Sequence, residues 1–285
     1  MKKRGLGKTG EFLSIVGFGG IAVKDEDPAA AKQLVAKAVE ERGINYFDVA
    51  PSYGNAEERL GPALEPYRDS VFLACKTEKR TAVEAEGELN QSLKRLRTDH
   101  LDLYQLHGVR TLEEVEQILG PGGALETFVK ARDQGKTRFL GFSAHSEEAA
   151  LALMDGFDLD TILFPFNWVC WYQGGFGPPV LEKAQEKGMG ILALKTLAKR
   201  RWKEGEKRRW TKTWYCPVDS FEEALLAVRF TFSKPITAGT SPGHAELLWW
   251  MCDAADQFAP LSEQEDAELA RRSEGLEYIF PQDYR

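Results

Sequence analysis

Four residues at the ends of apolar runs carry the chemistry that this sequence suggests. Asp48 closes the run 45–49 (NYFDV), Tyr53 stands in the turn that follows, Lys76 closes 71–76 (VFLACK) and His107 closes 101–107 (LDLYQLH). A charge at the boundary of a buried run is costly unless it is paired. A tyrosine phenol, with an ordinary pKa near ~10, is a weak acid at neutral pH. A lysine ammonium beside it favours the phenolate and lowers that pKa. The spacing predicts Lys76 in that role, with Asp48 as its counter-ion and His107 as a hydrogen-bond donor to a carbonyl oxygen. Such a set suits protonation of an alkoxide while hydride arrives at carbon. No side chain supplies a hydride, so the reading requires a redox cofactor. Taken singly, Asp48 reads equally as a turn residue, Tyr53 as packing and His107 as a core histidine. The chemical reading rests on their joint placement at one rim.

The elements that must bring them together follow from the apolar pattern. Short runs bounded by turn residues predict buried strands at 14–18, 45–49, 71–76, 101–107, 138–143, 161–166, 190–195 and 235–240. Helical patterns alternate with them. Residues 29–42 place Ala31, Leu34, Val35, Ala38 and Val39 at helical spacing before Gly43, and residues 81–97 align Ala85, Leu89, Leu93 and Leu96 on one face. Thr81-x-x-Glu84, Thr111-x-x-Glu114 and Ser220-x-x-Glu223 have the pattern of capping boxes, and Pro178-Pro179 opens a helix that Gly188 closes. Strict alternation leaves an open doubly wound sheet or a closed barrel. Eight evenly spaced strand–helix pairs favour an α/β fold of the (β/α)8 TIM-barrel type, one domain over 1–285. A small hairpin at 3–13 is expected to cap its floor, and residues 262–285 to form an extra helix and tail opened by Ser262-x-x-Glu265. In such a barrel the C-terminal strand ends converge at the catalytic rim.

One segment breaks the rhythm. Residues 197–218 hold eight Lys/Arg and three Trp between the seventh strand and its helix. A βα loop of that length is often functional. Lys199, Arg200 and Arg201 are candidates for cofactor phosphates; a solvated loop with Trp202, Trp210 and Trp214 packed locally is the alternative. Lys195 and Thr196, at the end of the seventh strand, are better placed for a pyrophosphate. Trp168, Trp171, Tyr172 and Phe176 follow the sixth strand, where they either line a pocket or pack a Gly-rich loop.

The 285 residues carry a net charge of −7 with 43% apolar and 28% charged side chains, which gives no general affinity for nucleic acid or anionic membrane. No run is long enough for a membrane span and no apolar segment follows the basic start, so neither a transmembrane helix nor a signal peptide is expected. Cys75, Cys170, Cys216 and Cys252 are scattered without a CxxC spacing. That pattern argues against a zinc ribbon or iron–sulfur cluster and suits a reducing cytoplasm. No metal site is expected: a metal-dependent hydrolase or isomerase barrel would need more ligands than Asp48, His107 and His145, and Lys76 would sit among them. Residues 5–10 (GLGKTG) match GxGxxG literally but lack a preceding strand and a following helix, so they read as hairpin-turn residues.

Beyond these patterns the whole chain resembles the aldo-keto reductases. RGLGKTGEFLSIVGFGG (4–20) is similar to that family's opening hairpin and first strand, FDVAPSYG (47–54) to its Asp/Tyr signature, and ACKT (74–77) and LYQLHG (103–108) to its Lys and His segments. GFSAHS (141–146) resembles the segment that holds the nicotinamide carboxamide, and ITAGTSPGHAEL (236–247) the segment that holds the adenosine end. The resemblance implies an oxidoreductase that interconverts a carbonyl and an alcohol with NADP or NAD. Asp48, Tyr53, Lys76 and His107 would be catalytic, with Tyr53 as general acid. Gly20, Ser143, Asn167, Lys195, Thr196, Gly239, Thr240 and Ser241 would bind the cofactor. The implied partner is a small-molecule carbonyl or alcohol; oligomeric state is left open. Some positions depart from the family pattern: Ala144 follows Ser143 where many members have Asn, Leu163 replaces a Gln, Ala245 beside His244 replaces an Arg that meets a 2′-phosphate, and Leu248 and Trp249 replace a Glu/Asn pair. These departures leave a non-catalytic nicotinamide-binding barrel as an alternative.

Overall fold

The computed structural model describes residues 1–280. A hairpin of β1 (Lys3–Gly5) and β2 (Phe12–Ser14) precedes β3 (Val16–Gly19), β4 (Tyr46–Asp48), β5 (Phe72–Thr77), β6 (Leu101–Val109), β7 (Thr137–Ala144), β8 (Thr161–Phe164) and β9 (Gly190–Ala193). A second hairpin, β10 (Ala198–Arg201) and β11 (Tyr215–Pro217), comes before the last strand, β12 (Ala238–Thr240). Among the described residues, β3 to β9 and β12 close a parallel barrel in the order β12-β3-β4-β5-β6-β7-β8-β9. Each of the eight runs read from the sequence contributes a strand, with ends shifted by a few residues.

The outer layer consists of α1 (Pro28–Ala36), α2 (Ala56–Leu64), α3 (Ala82–Leu96), α4 (Leu112–Leu119), α5 (Ala124–Asp133) and α6 (Glu147–Gly156), continued by α7 (Trp168–Gly174), α8 (Pro178–Glu186), α9 (Phe221–Phe232), α10 (Ala245–Asp256) and α11 (Glu263–Ser273). The apolar stripe of α3 is buried at Ala85, Leu89, Leu93 and Leu96, and burying each such leucine stabilises by roughly 1.5–3 kcal/mol. The helix expected over 29–42 is α1 followed by a wide turn at Lys37–Glu41. Thr111 and Ser262 make full capping boxes. Ser220 makes half of one: its hydroxyl accepts from the Glu223 N–H, but the Glu223 carboxylate accepts from Lys199 instead. Thr81 makes none. Its hydroxyl donates to the Glu84 carboxylate at 2.6 Å, and so does not cap the helix. No helix among the described residues is long and apolar enough to cross a membrane. The expected tail begins as α11, and 281–285 lie outside the described residues.

The N-terminal hairpin seals the barrel floor. Leu6 is fully buried, Lys8 N–H donates to Gly188 O, and the Thr237 hydroxyl donates to Gly5 O. Gly7 has a left-handed φ of 51°, and a Cβ there would come within 2.3 Å of the Gly190 nitrogen. The 5–10 glycines therefore serve a tight turn at the end opposite the C-terminal strand ends. Higher in the barrel, a Cβ on Gly17 would strike the Tyr46 ring at 2.4 Å, so the absence of a side chain at that position gives Tyr46 its room.

Candidate active site

Side chains two apart on a strand share a face, and this alternation aims Tyr46 with Asp48, and Gln105 with His107, into the barrel. Lys76 and Gln105 are register partners on β5 and β6. The Asp48 carboxylate is held from three sides. Oδ1 takes the Lys76 ammonium, while Oδ2 accepts from the Tyr46 hydroxyl at 3.2 Å and Gln105 Nε2 at 3.0 Å. Lys76 also donates to Val49 O at 3.2 Å. From that anchor its ammonium lies 5.4 Å from the centroid of the Tyr53 ring. Tyr53 in turn meets the His107 ring edge to face, with centroids 5.8 Å apart. The four sequence-predicted residues converge on one place.

Their surroundings set their charge states. Burial pushes Lys76 down, but the facing Asp48 carboxylate and Tyr53 more than offset it, so the ammonium is held above its ordinary value. Burial pushes the Tyr53 phenol up, and the Lys76 charge opposes this without cancelling it; the net direction is upward. Lys76 acts on the phenol in the expected downward sense, but desolvation outweighs it, so the net shift is opposite to the expected one. Burial, followed by the charges of Lys76, His145, Arg80 and Lys195, drives His107 well below the usual histidine range, so its ring is neutral. The Ser52 hydroxyl lies 3.4 Å and Glu78 Oε1 3.5 Å from His107 Nδ1. Glu78 is more than half exposed, which screens its pull.

A cavity of about 340 Å³ opens over these groups, at the small end of the range for small-molecule sites. Of the residues expected at a cofactor, Ser143, Lys195, Thr240 and Ser241 line it. Gly20, Asn167, Thr196 and Gly239 stand behind its wall. Asn167 is buried, caps α7 through Oδ1, and donates to Lys195 O and Ala198 O. Gly20 packs on Val49, and Gly239 on Thr196 and Met251. Two expectations are corrected. Lys199, Arg200 and Arg201 do not reach the cavity: they are engaged by Glu223, Glu206 and Glu277 as the loop folds into β10 and β11. The aromatics after β8 do not line it either. Trp171 and Tyr172 pack on Phe230, Phe176 stacks on Phe164, and Trp168 is buried.

The sequence model of the aldo/keto reductase family matches residues 15–214. The chain belongs to the aldo/keto reductase family. Two Bacillus subtilis proteins are among the relatives. The uncharacterized oxidoreductase YqkF is 32% identical over 158 residues, covering 50% of this chain and 49% of its own. The aldo-keto reductase YhdN is 36% identical over 145 residues, covering 46% and 42%. The match thus spans about half the length of these curated relatives or less. Among solved structures, the holo form of aldo-keto reductase AKR11C1 from Bacillus halodurans superposes with a TM-score of 0.75 at 22% identity, covering 98% of this chain and 99% of that one, which shows the shared fold.

Within this aldo/keto reductase barrel the sequence reading passed over several cavity residues. Gln105 was recoverable, because it stands two before His107 on the same strand. Lys212, Thr213, Trp214 and Tyr215 were not, because only the folding-back of the β10–β11 hairpin brings them to the mouth. Lys212 closes the hairpin against the loop after β3, donating to Glu26 at 2.6 Å and Ala22 O at 3.1 Å. His145 also lines the cavity. Its ring is tilted against Phe280, with centroids 4.7 Å apart, and burial together with Lys195 lowers its pKa to about 3. Among the described residues no group of three or more His, Cys, Asp or Glu is disposed to hold a metal ion.

Proposed function

We propose that this protein is an NAD(P)-dependent oxidoreductase that interconverts a small carbonyl compound and its alcohol, with Tyr53 as general acid in reduction and general base in oxidation. The observation that carries this reading is the convergence of Tyr53, Lys76 and His107 on one cavity, with Lys76 anchored by buried Asp48.

The residues present fit a dinucleotide. The Lys195 ammonium lines the cavity with no carboxylate partner among the described residues, held against the rings of Trp214 and Tyr215 at 5.4 and 4.9 Å. Behind it the Thr196 hydroxyl is buried without a partner. The lining from Thr240 to Gly243 leads to the start of α10, whose N-cap residue His244 makes no side-chain capping bond, and open N–H groups at a helix start favour anions. Lys195, Ser241 and that helix start would hold the diphosphate, with Thr196 behind them; Ser143 would face the nicotinamide. The bound cofactor supplies the hydride.

The chain's own groups handle the proton. Tyr53, kept protonated by burial, donates to the carbonyl oxygen. Lys76 limits the rise of its pKa and stabilises the phenolate left behind. In the tautomer whose Nδ1 accepts from the Ser52 hydroxyl, the His107 Nε2–H would hydrogen-bond the same oxygen. Asp48 keeps Lys76 charged and in place. A panel of aldehydes and ketones run with NADH and with NADPH tests the reading: carbonyl-dependent oxidation of one of them is expected. Cofactor binding without turnover of any carbonyl would instead identify a nicotinamide-binding barrel without catalysis.

A further inference from the structure

We propose that Tyr215 is a specificity-determining residue: its hydroxyl binds a second oxygen of the substrate, so the pocket selects hydroxylated carbonyl compounds, such as hydroxyaldehydes and short sugars, over unsubstituted aldehydes. This rests on the oxidoreductase reading above and names the substrate class of that site.

Tyr215 belongs to no barrel strand. It opens β11, pairs with Arg201 of β10, and is carried to the cavity by the inserted hairpin. It is 3% exposed and lines the same cavity as Tyr53, Lys76 and His107. Its ring is fixed on two sides, by the edge of Trp214 at 5.5 Å and 88° and by the Lys195 ammonium. Its hydroxyl has no hydrogen-bond partner among the described residues. Phenylalanine would serve the packing equally well, and the hydroxyl, on a residue that lines the cavity, is free to bond what enters there. A ligand oxygen in the cavity can take the place of water on it. Burial and nearby Tyr53 push the phenol above its ordinary pKa, so it remains a donor throughout the physiological range. Lys195 meets the ring without hydrogen-bonding the hydroxyl, so Tyr215 lacks the arrangement that lets Tyr53 pass a proton; its role is recognition. A site that hydrogen-bonds a substrate hydroxyl discriminates strongly against the analogue lacking it, because its own polar group is then stranded.

The test compares kcat/KM for glyceraldehyde and propanal in the wild type and in Tyr215→Phe, with the melting temperature of each. The wild type is expected to favour glyceraldehyde by about tenfold or more, and Tyr215→Phe to lower that ratio by about tenfold at an unchanged melting temperature. A wild type without preference overturns the proposal. So does a variant that keeps the ratio, or one that loses both substrates equally, which would mean that the ring rather than the hydroxyl matters. A wild type that oxidises neither NADH nor NADPH with any carbonyl overturns the oxidoreductase reading itself, and this inference with it.

Discussion

Lys76 and Asp48 form an ion pair across the seam between β4 and β5, with 1% and 4% of their side chains exposed. The pair keeps a charged element of the site in place while dry. Two further donors, Tyr46 and Gln105, complete the carboxylate's shell. Removing one member of a buried pair strands the other charge at a cost of about 3–5 kcal/mol. Asp48→Asn should therefore lower the unfolding free energy by about that amount and also depress turnover, since the ammonium then loses its reason to remain protonated. Urea unfolding alongside steady-state kinetics checks both. A variant of native stability would mean that the ammonium finds another partner.

Tyr53→Phe separates the proton from the hydride. The phenol is held above its ordinary pKa by burial, partly opposed by Lys76, so the donor form prevails in the free enzyme at neutral pH. Its loss should cut carbonyl reduction by about 10²–10⁴-fold while leaving cofactor affinity nearly intact. In the wild type, alcohol oxidation, which needs the phenolate, should climb with pH up to at least ~10, the ordinary phenol value. Retained reduction in Tyr53→Phe would remove Tyr53 from the proton-donor role.

The barrel was legible because each strand is a short apolar run between turn residues, and the four rim residues because a charged or polar type closes such a run. What stayed hidden lacks a local signal. β10 reads AKRR, and its charges conceal a strand held by Lys199–Glu223 and Arg200–Glu206 pairing. α2 carries Pro62 in its interior and a buried Glu57 that pairs with Arg95, so neither propensity nor polarity announces it. Tyr215 reaches the cavity through a fold-back of the chain that no periodicity encodes. The Tyr53 shift misled for a different reason: sequence shows the neighbouring charge but not the depth of burial.

Two threonines with the same sequence signature should behave differently. Thr111 accepts from the Glu114 N–H and the Glu114 side chain returns the bond, so Thr111→Ala should cost about 1 kcal/mol. Thr81 makes no cap bond, so Thr81→Ala should cost a few tenths at most. Denaturant midpoints at equal m-value separate the two. Equal losses would show that the Thr81 hydroxyl turns to cap α3 in solution.

Lys195 makes cofactor affinity depend on pH with a definite sign. It holds a left-handed φ of 67° at the end of β9, unusual for a residue with a side chain, and this aims it at the cavity. Burial, then the Lys76 charge, lowers its pKa to about 8 in the free protein. A bound diphosphate favours the ammonium and so raises that pKa. Below pH 8 the amine is already charged and affinity should be flat. Above pH 8 binding must take up a proton, so affinity should fall by up to about tenfold per pH unit until the bound-state pKa is reached. Lys195→Met should bind more weakly and lose the slope. Quenching of tryptophan emission offers a readout independent of turnover, because Trp214 lies against the same ammonium. A wild-type dissociation constant that stays constant from pH 7 to about 9.5, together with unchanged affinity in Lys195→Met, would exclude Lys195 as the anion seat and return that role to Ser241 and the α10 helix start.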